Sequence, residues 1–190
     1  MVALQNLILL GLPATIAGAA IEARAPGAPF ALYAYGTGIG GAPVFTSGSK
    51  AYIGNATLLQ DTEAAPVEFT ATSTEELVGS PNTTSNEPTP TWSNLTLLVP
   101  ETTSDSHEVG FTNSTPGSGM SANGFTFYGE VLLHKGNDGK LKSLWYAVPL
   151  DQDGIWSLEW NSTGDDTTGQ IPLTLSATAP AHGNGKSQTE

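Results

Sequence analysis

Glu130 and Glu159 are the carboxylates best suited to chemistry in this chain. Each stands in a stretch of alternating apolar and polar residues, beside aromatic side chains able to stack on sugar. Hydrolysis of a glycosidic bond needs one carboxyl to protonate the leaving oxygen and a second to attack or to activate water. Glu130 is expected to share a strand face with Tyr128 and His134, opposite Phe125 and Phe127. Two charges on the wet side of a half-buried sheet would look the same, and no residue is assigned a catalytic role. Trp92, Trp145, Trp156 and Trp160 are candidates for stacking on pyranose rings. Core packing explains large aromatics in a β domain as well. Trp92, beside a proline-rich stretch, is expected to be the most exposed.

Other patterns end sooner. Gly36-Thr-Gly-Ile-Gly-Gly41 satisfies G-x-G-x-x-G, but a dinucleotide site needs a helix next and Ala-Pro-Val-Phe45 follows. It reads as a glycine-rich turn or bulge between strands. Asp151-Gln-Asp-Gly154 begins like a calcium loop, yet Ile155 and Ser157 interrupt the ligand series. A β-turn is expected, with Asp165 and Asp166 as remote carboxylates in the calcium alternative. His107, His134 and His182 lack metal-ligand spacing, and there is no G-x-S-x-G elbow. No metal and no cofactor are expected.

The 190 residues carry 6 Lys+Arg against 18 Asp+Glu, a net charge of −12. Phosphates would be repelled, so no nucleic-acid partner is expected. Only 13% of residues are charged, and 24 Thr with 16 Ser supply much of the surface polarity. With Cys 0 there are no disulfides and no thiolate chemistry. Residues 1–19 read as a signal peptide, from the apolar run Leu7 to Ala20 and the A-x-A site Ala17-Gly-Ala19. Residues 20–29 read as a linker or short pro-segment, in which Arg24 is a candidate processing site. Residues 30–178 form a single β domain and 179–190 a disordered tail, with no membrane anchor expected. Five N-x-[ST] sequons, at Asn55, Asn82, Asn94, Asn113 and Asn161, point to N-glycosylation.

The elements that must position these residues follow period two. Strands are expected over 30–35, 43–45, 50–53, 67–72, 92–99, 125–133, 141–150, 155–160 and 171–175, with Pro172 suggesting an edge. Leu95, Leu97 and Val99 should face inward, because a glycan on Asn94 must project into water. Phe125, Phe127, Val131 and Leu133 are expected on one face, and so are Leu144, Tyr146 and Val148. Ser73 to Pro90 and Thr102 to Ser106 read as long polar loops. Many short strands with turn signals between them predict an all-β fold, an antiparallel β-sandwich or alternatively a β-barrel.

The blocks Phe30-Ala-Leu-Tyr-Ala-Tyr-Gly-Thr-Gly-Ile-Gly-Gly41, Ala51-Tyr-Ile-Gly54, Gly124-Phe-Thr-Phe-Tyr-Gly129, Leu144-Trp-Tyr-Ala-Val-Pro149 and Trp156-Ser-Leu-Glu-Trp-Asn161 resemble a family of small secreted glycoproteins of filamentous ascomycete fungi. The resemblance covers roughly residues 30–175 and implies an extracellular or cell-wall setting. It carries over no catalytic residue. The function expected is a non-catalytic interaction role at a cell surface, wall or matrix, with a host-directed effector as one form of it. The partner would be a wall polysaccharide or an extracellular protein. A carbohydrate-binding module using exposed Trp or Tyr, and a secreted glycoside hydrolase using Glu130 and Glu159, are the alternatives.

Overall fold

Alternation in the sequence becomes alternation in burial. Phe30, Leu32 and Ala34 are buried while Ala31, Tyr33 and Tyr35 are only partly so. The same rhythm recurs in several of the fourteen strands of the computed structural model, which describes residues 27–83, 89–164 and 168–181. The expected signal peptide, most of the linker with Arg24, most of the tail with His182, and Asp165 and Asp166 lie outside the described residues.

Six strands close into a ring. They are β1 (Tyr33–Gly36), β2 (Ile39–Thr46), β3 (Ala51–Gly54), β12 (Trp145–Pro149), β13 (Ile155–Trp160) and β14 (Ile171–Ser176). The ladder runs β1-β2-β3-β13-β12-β14 and returns to β1, every pair antiparallel. The fold is all-β, and of the two forms the sequence left open the ladder takes the barrel. Closure leaves no edge among these six strands. A second group hangs from β2, whose Phe45 and Thr46 pair with β4 (Ala65–Ala71). From there β5 (Leu77–Pro81), β6 (Leu95–Pro100) and β7 (Gly110–Thr112) extend the sheet, with β8 (Met120–Ser121) also on β6. A third group, β9 (Phe125–Tyr128), β10 (Val131–Lys135) and β11 (Leu141–Lys142), leaves from the end of β14. The described segments outside the strands include one 3-10 turn, Ala56–Leu59.

The glycine block is a hairpin, as expected. Gly36 pairs with Ile39 across a turn in which Gly38 takes φ +75°. A Cβ on Gly36 would lie 2.7 Å from the Pro172 carbonyl oxygen, so the close approach of β14 requires glycine there. Phenylalanines fill the space where the outer strands meet. Phe30 packs edge-on to Phe127 with centroids 5.3 Å apart, and Phe69 stacks against both Phe30 and Phe111. Trp145 and Trp160 meet at 67° with centroids 4.6 Å apart in the main core.

Several expected phases are corrected. The stretch 125–133 is not one strand: it reverses at Gly129-Glu130, and Tyr128 pairs with Val131. The reversal changes the parity, so Leu132 and His134 are buried in place of Val131 and Leu133. On β12 the main core takes Trp145 and Ala147, with Leu144 packed beside it, while Tyr146 is buried on the other side. Ser73 to Pro90 is not all loop, since β5 lies within it. Leu77 is its only large buried side chain, and Gly79 lets Val67 pack close. β14 is not an edge. Pro172 lies beyond the end of β1, whose pairing with β14 begins at Leu173.

Candidate functional site

Three of the four tryptophans belong to the interior. Trp145 is 2% exposed and donates its indole N–H to the Leu132 carbonyl at 3.1 Å. Trp160 is 3% exposed. Trp92, expected to be the most exposed, is buried, and its Nε1 donates to the Glu63 carbonyl at 2.7 Å. The hydrogen bond explains the difference, because the polar end of the indole finds a partner inside and the ring need not face water. Trp156 is half-buried on β13. No flat row of exposed tryptophans exists among the described residues.

Glu130 and Glu159 are not brought together. Glu130 lies exposed in the two-residue turn between β9 and β10, where its carbonyl accepts from the backbone N of Ala177. Glu159 is buried on β13 opposite Tyr146, which in turn pairs with Pro172. Among the described residues the two share no hydrogen bond, no bridge and no cleft.

The fold gives Glu159 a different partner. Glu108 sits directly across an isolated antiparallel bridge from it. Ser157 donates to Glu159 Oε1 at 2.5 Å, and Lys50 forms an ion pair with Glu108. Burial pushes the Glu159 carboxyl above its ordinary range, and repulsion from Glu108 adds to this, against the Ser157 hydrogen bond and the attraction of His107 and Lys50. His107 Nδ1 and the Tyr146 hydroxyl are 2.8 Å apart beside this pair. Chemically the group sets a buried carboxyl whose ionisation is disfavoured beside one paired with a lysine. The adjacency of His107 and Glu108 in sequence gave no hint that β13 would run beside them.

The second feature is a cleft of about 440 Å³ between the end of β6, the β10–β11 turn and the end of β13. Leu144 and Trp160 contribute apolar surface. Glu101, Asp138 and Lys142 bring charge, with Lys142 Nζ 3.1 Å from Asp138. His134 also lines it and is 94% buried, flanked edge-on by Phe125 and Trp160. Its Nε2 lies 3.0 Å from the Asn123 carbonyl, so that nitrogen carries the proton and donates. Nδ1 is then an acceptor, and it is buried with no partner among the described residues. Burial holds the imidazole pKa below its ordinary value, opposed by the Asn123 carbonyl and Glu101. The sequence placed His134 on the face of Glu130 and Tyr128, opposite Phe125 and Phe127; the unrecognised reversal at Gly129 puts it inside instead.

A third feature is a groove of about 430 Å³ in which Trp156 and Asn55 are neighbours. Among the sequon residues Asn55, Asn94 and Asn113 are exposed, and Asn82 and Asn161 are half-buried. Leu95, Leu97 and Val99 are buried as expected, but so are Leu98 and Pro100 on the face expected to be wet, where only Thr96 is partly open. Asp151 to Gly154 forms a turn, with Ile155 N donating to the Gln152 carbonyl. Among the described residues no three His, Asp or Glu side chains group as a metal site. Comparison with protein-family models, curated proteins and solved structures returns no match to this chain.

Proposed function

We propose that this chain is an exported, N-glycosylated β-barrel that acts by binding outside the cell, at a surface, wall or matrix, and that the His134 cleft is its ligand site. The make-up of the cleft carries the binding role: Trp160 and Leu144 offer apolar surface beside the charged groups of Glu101, Asp138 and Lys142. The cleft volume falls in the usual range for small-molecule sites. Apolar surface beside carboxylates, hydroxyls and a lysine suits a polyhydroxylated ligand, as a wall saccharide would be. Exposure of the sequon residues Asn55, Asn94 and Asn113 supports export, and so does the resemblance to secreted fungal glycoproteins.

Two measurements test the reading. Secreted material treated with an N-glycosidase is expected to lose several glycans in mass; an unmodified cytosolic protein ends the export part. Titration with chitotriose, laminaritriose and cellotriose is expected to change tryptophan emission through Trp160. Lys142→Ala and Glu101→Gln should each weaken that response about fivefold, or about 1 kcal/mol. Emission unchanged by all three sugars at millimolar concentration removes the saccharide as ligand.

The bridge between Glu108 and Glu159 favours a second reading, a secreted glycoside hydrolase in which Glu108 rather than Glu130 partners Glu159. Neither residue lines either of the two clefts. Release of reducing sugar from a wall polysaccharide, abolished by Glu159→Gln, would establish it, and equal release by that variant would discard it.

A further inference from the structure

The Asn55 side chain is oriented by the fold in a way that bears on its modification. Its Oδ1 accepts from the Thr57 backbone N–H at 3.1 Å and from the Thr57 hydroxyl at 2.9 Å, which caps the short 3-10 turn. The backbone N–H can only donate, so the atom facing it is the amide oxygen. Nδ2, the atom to which a sugar is joined, makes no hydrogen bond among the described residues, and Asn55 is exposed. Beside it lies the groove that it shares with Trp156, Pro43, Pro66 and Ala56. Trp156 pairs across the ladder with Ile53, two residues before Asn55. The groove is thus a largely apolar seat with a half-buried indole, next to an amide nitrogen that the cap leaves available.

We propose that this groove seats the first N-acetylglucosamine of a glycan on Asn55, its apolar C–H face resting on the Trp156 ring. The inference depends on the export reading and adds a place and a role for one sugar. Attachment joins Nδ2 to C1 of the sugar. Nδ2 gives up a proton, and the diphosphate of a lipid-linked oligosaccharide donor leaves C1. A tethered sugar loses little further freedom on packing, so the contact adds to the stability of the folded chain. Only the innermost residue is held, and the rest of the glycan extends into solvent.

The test uses the full chain secreted from a eukaryotic host, with occupancy of each sequon read by glycopeptide mass spectrometry. Asn55 is expected to be occupied. Trimming with an endoglycosidase that leaves one N-acetylglucosamine should keep the denaturation midpoint of the intact glycoprotein. Asn55→Gln should lower the folded-to-unfolded ratio roughly 2- to 10-fold, the scale of one good aromatic contact. In a Trp156→Phe background, which keeps a ring and the fold but shortens the indole face, that loss should shrink. In Trp156→Ala only the part due to the lost Asn55 cap should remain, since a double-mutant cycle removes just the contact between the two groups. Equal losses in the Phe background and the parent overturn the proposal. So does a midpoint that falls on trimming to one sugar, or an empty Asn55 where other sequons carry glycan. Sugar absent from every sequon overturns the export reading as well.

Discussion

The His134 imidazole stands edge-on to the Trp160 indole, 5.4 Å between centroids and 78° between planes. Trp160 meets Trp145 in the same manner, so one indole joins the main core to the cleft. A change at His134 is therefore felt by the packing of the barrel end.

Stability should fall as pH drops below the ordinary histidine value of 6.5. The unfolded chain takes up a proton there while buried His134 does not, since burial holds its folded pKa lower. The stability that the neutral ring maintains is whole above 6.5 and is lost as pH descends toward the lowered value. Denaturation midpoints at pH about 7.5 and about 5.5 should differ in the parent, and by clearly less in His134→Gln. Equal differences in both would assign the effect elsewhere.

Glu159 works in the opposite sense. Its folded pKa is raised, chiefly by burial, so ionisation favours the unfolded chain. The penalty is absent below the ordinary 4.5, grows as pH rises through the raised value, and is constant above it. Glu159→Gln should gain stability over the parent at neutral pH, and this advantage should shrink as pH falls toward 4.5. Urea denaturation across that range measures it; an advantage that does not vary with pH would refute the assignment.

Glycines 54 and 40 should respond differently to alanine. Gly54 holds φ +122°, and a Cβ there would come within 2.2 Å of the Gly154 carbonyl oxygen. Gly40 has nothing within 4 Å of such an atom. Gly54→Ala is expected to destabilise by at least about 1–3 kcal/mol, and Gly40→Ala to stay within about 0.5 kcal/mol. Thermal denaturation of both variants checks the contrast.

Trp92→Phe tests whether this ring is structural. It removes the hydrogen bond to the Glu63 carbonyl and should destabilise by about 1–2 kcal/mol. Binding of the three sugar probes should be unchanged, and a weakened response would return Trp92 to the ligand-contacting set.

Local chemistry was legible along the chain. Alternation in 30–34 and 67–69 declared strands, and Gly36 to Gly41 declared a turn, because side-chain period and positive φ are properties of a few adjacent residues. The Asn94 sequon was a poorer guide, since Leu98 and Pro100 on the other side of β6 are buried too. The reversal at Gly129-Glu130 was missed because one Gly-Glu pair is a weak turn signal. That miss alone put the wrong residues of β10 inside and concealed His134. Likewise β5 shows little hydrophobicity, since Gly79 serves there by being small against Val67.

The sequence by itself determined the extended backbone, the places where it turns, and an acidic surface kept wet by hydroxyls and amides. Only the tertiary structure decided that six strands close on themselves, that Glu159 faces Glu108 and not Glu130, and that His134 meets Trp160 at a cleft. Pairing between strands far apart in the chain depends on which edges remain open once others have joined. That choice is made by the assembled ladder and its packing, and no short stretch of residues encodes it.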